Sequence, residues 1–323
     1  MKGDLKIFSG SAHPQLASRV CEHLGLPLSK AEVLKFANDN TFVTIKDSVR
    51  QADVFVIQPS CVPVNDGLME LLIMIDALKR ASARSVAAVV PYYPYARSDK
   101  KDQPRVAITA RLVGDLLTAA GADRVVTVDL HAPQIQGFLK ICLDHLSARG
   151  LIADYFRHVR PEDGVVVAPD AGAAKQAEYY AGRLNLPYAI IDKRRPDNQD
   201  RPVARKIIGN VRNKTALIFD DEISTGASIQ ETVRVLREKE VKRVMIGAVH
   251  PVFCGQVLER LQDPLISQVV VTDTVPIPAA KQFPRLKILS VARLLADVIK
   301  CIHTGNSISQ VVEKLSLEPE HTG

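Results

Sequence analysis

The chain has 323 residues, of which 46 % are hydrophobic and 5 % aromatic, with no tryptophan and a formal net charge of +6. That length accommodates two domains, and a core poor in aromatics must be built from Val, Ile, Leu and Ala, as in buried parallel sheets. The charge suits polyanionic ligands but is modest for a nucleic-acid binder, and Cys21, Cys61, Cys142, Cys254 and Cys301 have neither disulfide-framework nor zinc-site spacing.

The opening segment MKGDLKIFSG lacks an extended apolar run, so no signal peptide is expected, and Glu70 and Asp76 interrupt the apolar stretch Leu68–Leu78. No membrane association is expected, and the cysteine pattern fits a reducing, cytoplasmic setting. Short β-rich runs occur at Leu5–Phe8, Val54–Gln58, Val86–Val90 and Val125–Val128. Helical patterns at Leu68–Ala83 and Ala107–Ala120 fall between them. Arg149-Gly150 and the polar run from Arg160 to Gly164 mark a boundary, predicting domains over 1–150 and 151–323. The second half repeats the alternation, with strands at Val165–Ala168, Tyr188–Ile191, Ala216–Phe219, Val244–Val249 and Val269–Val271. Its helices are expected at Ala173–Leu184 and Ile229–Lys239, and the chain turns helical again beyond about Val291. Such alternation implies an α/β fold of two similar domains, each with a mainly parallel sheet flanked by helices.

Polar residues follow directly on several predicted strands: Asp129-Leu130-His131, Pro169-Asp170, Asp192-Lys193 and Asp220-Asp221. Open α/β sheets bind ligands beyond the carboxyl ends of their strands, so a composite site is expected there. The most specific segment is TALIFDDEISTGAS, Thr215–Ser228. Its strand ends in Asp220 and Asp221, which can accept hydrogen bonds from vicinal sugar hydroxyls. Ser224, Thr225, Gly226, Ala227 and Ser228 then offer hydroxyls and backbone N–H groups to a phosphate at a helix N-terminus. A tight turn with a capping serine is the bland alternative. In Ile190–Pro196, three cations, Lys193, Arg194 and Arg195, can stabilise charge on a transferred phosphoryl group.

These motifs, with FSG near Ser9, NDGLMELL, RVAITARLV and SIS near Ser307, resemble the ribose-phosphate pyrophosphokinase family over nearly the whole chain. The resemblance implies two tandem type I phosphoribosyltransferase-like domains and Mg²⁺-dependent transfer of the β,γ-diphosphoryl group of ATP to the C1 hydroxyl of ribose 5-phosphate. By matched motif, Lys193 and Arg195 would be catalytic, and Arg195, Asp220, Asp221 and Ser224–Ser228 would bind the sugar phosphate. Asn38, Asp39 and Asn40 of FANDN, with Arg97 and Ser98 of PYYPYARSD, would bind ATP, while His131 and Asp170 would bind metal. Ser224 and Ala227 stand where many members have Asp and Gly, and Asn38 and Asn40 replace the usual carboxylates. The family also implies self-association, as a homohexamer or dimer-based oligomer. A non-catalytic regulatory paralogue and a phosphoribosyltransferase are the alternatives.

Overall fold

The computed structural model describes residues 3–159, 161–192 and 206–309. The chain forms two compact units, one drawn from Met1–Ala148, Asp273–Pro276 and Ser290–Gly323, the other from Arg149–Thr272 and Ile277–Leu289.

In the first unit the order is β1 (Leu5–Ser9), α1 (Pro14–Leu24), β2 (Ala31–Lys35), β3 (Thr41–Ile45), β4 (Asp53–Ile57), α2 (Val64–Arg80), β5 (Ser85–Val89), α3 (Thr109–Ala120), β6 (Arg124–Val128) and β7 (Cys142–Leu146). β1, β4, β5, β6 and β7 form one parallel sheet in that spatial order. β4 is buried along its whole length, which explains its unbroken apolar run rather than an alternating one. Gly25 and Gly121, both with positive φ, end α1 and α3 and turn their N–H groups back onto the last helical carbonyls.

The antiparallel pair β2–β3 was not anticipated, because its sequence carries no sustained apolar run; it is a two-stranded hairpin set apart from the main sheet. FANDN occupies its turn.

The second unit comprises α4 (Arg149–Val159), β8 (Gly164–Ala168), α5 (Ala174–Leu184), β9 (Tyr188–Asp192), β10 (Lys206–Ile208), β11 (Thr215–Glu222), α6 (Ala227–Glu238), β12 (Arg243–His250), α7 (Val257–Leu261), β13 (Ile266–Thr272) and β14 (Leu286–Leu289). Its sheet runs β10-β9-β8-β11-β12-β13-β14, parallel except where β10 meets β9. Val165, Val167, Ala216, Ile218, Val244, Ile246, Val269 and Val271 share one core with Ile229, Val233 and Leu236 of α6.

The final helix, α8 (Ala292–Thr304), groups with the first unit, although a domain boundary near residue 150 would place it in the second. Its buried face of Leu294, Leu295, Val298 and Ile299 lies against α1, which buries Leu16, Ala17, Val20 and Cys21. Two apolar helix stripes cover one another, and that pairing outweighs position along the chain.

Candidate functional site

β11 lies between β8 and β12 in the second sheet, so its carboxyl end opens on a sheet centre rather than an edge. Residues 215–219 are buried and anchor the strand. Asp220 and Asp221 emerge half-buried, with the Asp221 N–H donating to Asp220 Oδ1 at 2.9 Å and the Glu222 N–H to Asp221 Oδ1 at 3.0 Å. Burial, then the adjoining Asp221 carboxyl, push the Asp220 carboxyl up to about 8. Two neighbouring carboxyls that disfavour each other's charge are hard oxygen donors, and a dication suits them. Among the described residues no cluster of three or more His, Cys, Asp and Glu side chains forms a metal site by itself. Mg²⁺ does not require one, since it is commonly held by one or two carboxylates together with substrate phosphates and water.

The loop after β11 turns at Gly226, whose φ of 75° and ψ of 6° are left-handed. α6 then starts at Ala227, two residues before its sequence-based start, so Ala227 and Ser228 belong to the first helical turn. The first N–H groups of a helix have no intrahelical acceptor, and the helix dipole adds positive potential there. The Ala227 N–H lies 3.4 Å from Thr225 Oγ1, and Ser224 Oγ lies 3.2 Å from Cys254 Sγ. Thus the structure brings Asp220, Asp221 and Ser224–Ser228 into one strand–turn–helix, suited to an anion beside a polyol.

Asp170 follows β8, a neighbour of β11, and its Oδ1 accepts the Ala173 N–H at 3.1 Å, capping a short 3-10 turn. Asp192 ends β9 on the other side of β8. Lys193 and Arg195 lie outside the described residues.

The first unit gathers a second set of predicted residues. Asn38, Asp39 and Asn40 are exposed at the β2–β3 turn, where the Phe36 N–H donates to the Asn40 carbonyl at 2.9 Å. Lys35 pairs with Asp39 at 2.8 Å and also reaches Asp66, which ties the hairpin to the start of α2. Tyr95, in the loop after β5, donates from its hydroxyl to the neighbouring Asn65. Asn65-Asp66 therefore connects the FANDN turn to the loop carrying Arg97 and Ser98. Arg97 is exposed, while Ser98 Oγ accepts the Thr109 N–H at 3.4 Å at the start of α3.

His131 is exposed in the loop after β6. Gln134, three residues on, donates to buried Asp99 at 2.6 Å, so the Arg97–Asp99 and His131–Gln134 loops are joined. Asp129 adopts a φ of 35° and accepts the Ser147 hydroxyl at 2.9 Å and the Ala148 N–H at 2.6 Å. The Leu130 N–H donates to His145 Nε2 at 2.9 Å. His131 belongs to the first unit and Asp170 to the second. Asn65, Asp66, Asp99, Gln134 and His145 act as supports that the sequence does not single out by role, although Asn65-Asp66 lies within NDGLMELL and Asp99 ends PYYPYARSD.

Strand-ending acids and a small-residue turn on a parallel sheet, in a chain of two α/β units, define a phosphoribosyltransferase-like two-domain fold. Residues 5–121 match the N-terminal domain of ribose phosphate pyrophosphokinase, and residues 195–313 match the phosphoribosyl synthetase-associated domain. The chain is 49 % identical over 308 residues to a ribose-phosphate pyrophosphokinase of Caldanaerobacter subterraneus, covering 95 % of this chain and 97 % of that one. It is 46 % identical over 314 residues to one of Deinococcus radiodurans, covering 95 % and 98 %. The crystal structure of phosphoribosylpyrophosphate synthetase from Mycobacterium smegmatis superposes with a TM-score of 0.88 at 44 % identity, covering 94 % of this chain and 100 % of that one. The chain belongs to the ribose-phosphate pyrophosphokinase family, and it is a transferase.

Proposed function

We propose that the protein transfers the β,γ-diphosphoryl group of Mg-ATP to the C1 hydroxyl of ribose 5-phosphate, yielding 5-phosphoribosyl 1-pyrophosphate and AMP. The observation that carries this reading is the β11–α6 turn, with two acids at a strand end and helix N–H donors a few residues on.

In this reading the 5-phosphate sits against Ser224–Ser228, Asp220 with Asp221 orient the ribose hydroxyls and would assist metal binding, and His131 and Asp170 would position the metal. Arg97, Ser98 and Asn38–Asn40 bind ATP. When bound, Mg²⁺ supplies positive charge that offsets the polyphosphate. The C1 oxygen attacks the β-phosphorus in line, the bond from that phosphorus to the α,β-bridging oxygen breaks, and the hydroxyl proton is released. Lys193 and Arg195 stabilise the charge developing on the transferred group. Holding the two substrates in register provides much of the acceleration. No covalent intermediate on the protein is required.

Family membership supports this reaction over base transfer by a phosphoribosyltransferase, which would leave the hairpin and the Arg97 loop without a role. The second reading, a non-catalytic regulator, differs in one readout, AMP formation. We further place the protein in the cytoplasm, and among the described residues no helix is long and apolar enough to cross a membrane. Self-association as a homohexamer or dimer-based oligomer belongs to this reading, and sedimentation measures it. The deciding assay follows AMP and 5-phosphoribosyl 1-pyrophosphate from ATP, Mg²⁺ and ribose 5-phosphate, with and without inorganic phosphate. Equal amounts of both products are expected. No turnover by folded, ligand-binding protein under either condition would overturn the catalytic reading.

A further inference from the structure

Three consecutive carbonyls of the candidate phosphate loop are held from one side by the segment after β12. The Phe253 N–H donates to the Ile223 carbonyl at 3.0 Å, and the Cys254 N–H donates to the Ser224 carbonyl at 3.1 Å. The third, on Thr225, accepts Arg260 Nη1 at 2.7 Å, so the only side chain in the series comes from α7. Arg260 Nη2 is itself oriented by Gln256 Oε1 at 3.3 Å. The arginine stem lies beneath the turn, since a Cβ on Gly226 would stand 3.6 Å from Arg260 Cβ.

Among the described residues the one cis peptide is Val62-Pro63, so these loop peptides are trans. In a trans peptide the C=O of one residue and the N–H of the next point in opposite directions. Holding the carbonyls of Ile223, Ser224 and Thr225 on one face therefore turns the N–H groups of Ser224, Thr225 and Gly226 to the other. Successive N–H groups facing one way form an anion-binding concavity, which continues into the N-terminus of α6. The Thr225–Gly226 peptide is the link between that concavity and the left-handed turn, and Arg260 is what fixes it.

We propose that Arg260 is a positioning residue for sugar-phosphate recognition: it aligns the loop amides by gripping the Thr225 carbonyl, without touching substrate. The proposal rests on the reading of Ser224–Ser228 as the ribose 5-phosphate loop. A charge-assisted hydrogen bond of this kind is worth on the order of 10-fold in affinity at a half-exposed position.

The test compares wild type, Arg260→Ala and Arg260→Lys by calorimetric titration with ribose 5-phosphate and with inorganic phosphate, and by steady-state kinetics. Arg260→Ala should raise Kd and KM for ribose 5-phosphate on the order of 10-fold, with KM for ATP and kcat at saturating sugar phosphate unchanged. Arg260→Lys, which can still donate to the carbonyl, should recover most of the loss. Wild-type affinity in Arg260→Ala overturns the inference. So does a parallel fall in kcat and both substrate affinities that lysine fails to rescue, which would mark a merely structural role. Wild type that binds inorganic phosphate but not ribose 5-phosphate overturns the sugar-phosphate reading alone, and the same comparison is then read on phosphate. Wild type that binds neither overturns both.

Discussion

Gly226 and Ala227 divide the turn between them: Gly226 takes the left-handed backbone at φ 75°, and Ala227 is the first residue of α6. Ala227 is thus compatible with the turn, because the conformation that excludes a side chain falls one residue earlier. Gly226→Ala should lower stability by about 1–2 kcal/mol in urea denaturation and raise KM for ribose 5-phosphate. Ala227→Gly should cost at most about 1 kcal/mol and leave sugar-phosphate binding intact. The reverse ranking would mean that the left-handed position lies elsewhere.

Asp220 is held protonated well above the ordinary carboxylate range, up to about 8. Between the ordinary value and the raised one, the folded chain keeps a proton that the unfolded chain has released, so this group lowers stability as pH rises through that window. Above the raised value the penalty is constant. Asp220→Asn should flatten this slope in metal-free thermal unfolding and be no less stable than wild type at pH 8. Its turnover should nevertheless fall on the order of 100-fold, because asparagine keeps an acceptor for the ribose hydroxyls but cannot ionise to assist metal binding. Mg²⁺ requires the ionised carboxylates, so titration at pH 7 should release protons, measurable as a dependence of calorimetric heat on buffer.

In the first unit, buried Asp53 accepts from Arg84 and from Ser85 at 2.7 Å, and His303 Nδ1 of α8 lies 2.9 Å away. Burial alone would raise this carboxyl, but the hydrogen bonds from Arg84, Ser85 and His303 outweigh it and hold Asp53 below its ordinary range. Its stabilisation is therefore present above the unfolded-state value and is lost as pH falls through the lowered folded value. Asp53→Asn should destabilise by about 2 kcal/mol at pH 7 and weaken the acid-induced loss of stability, read by denaturation at pH 5 and below. An unchanged acid limb would show that the cluster does not anchor α8.

Lys193→Ala should reduce kcat far more than it weakens ribose 5-phosphate binding, since the lysine is assigned to the reacting phosphates in the transition state and not to the bound sugar phosphate. Rapid-quench turnover beside equilibrium binding separates the two, and unchanged turnover would reject the lysine's assigned role.

Much of this architecture was legible in the residue order. Unbroken apolar runs such as Val165–Ala168 and Ala216–Phe219 become fully buried parallel strands because both sheet faces are covered. The acids following those runs mark strand ends, and local chain connectivity alone places Asp220 next to Ser224–Ser228. Less visible were the β2–β3 hairpin, whose strands are short and half-exposed, and the α1–α8 pairing, whose partners stand at opposite ends of the chain.

Local sequence thus determined where the strand, the turn and the helix that present an anion site fall, since each is set by residues a few positions apart. Tertiary structure alone decided which distant groups hold such loops in place. Arg260 reaches Thr225 across 35 positions, Gln134 reaches Asp99 across 35, and His303 reaches Asp53 across 250. No periodicity or propensity encodes such pairings, because hydrogen bonds between distant segments form only once packing has brought their backbones together.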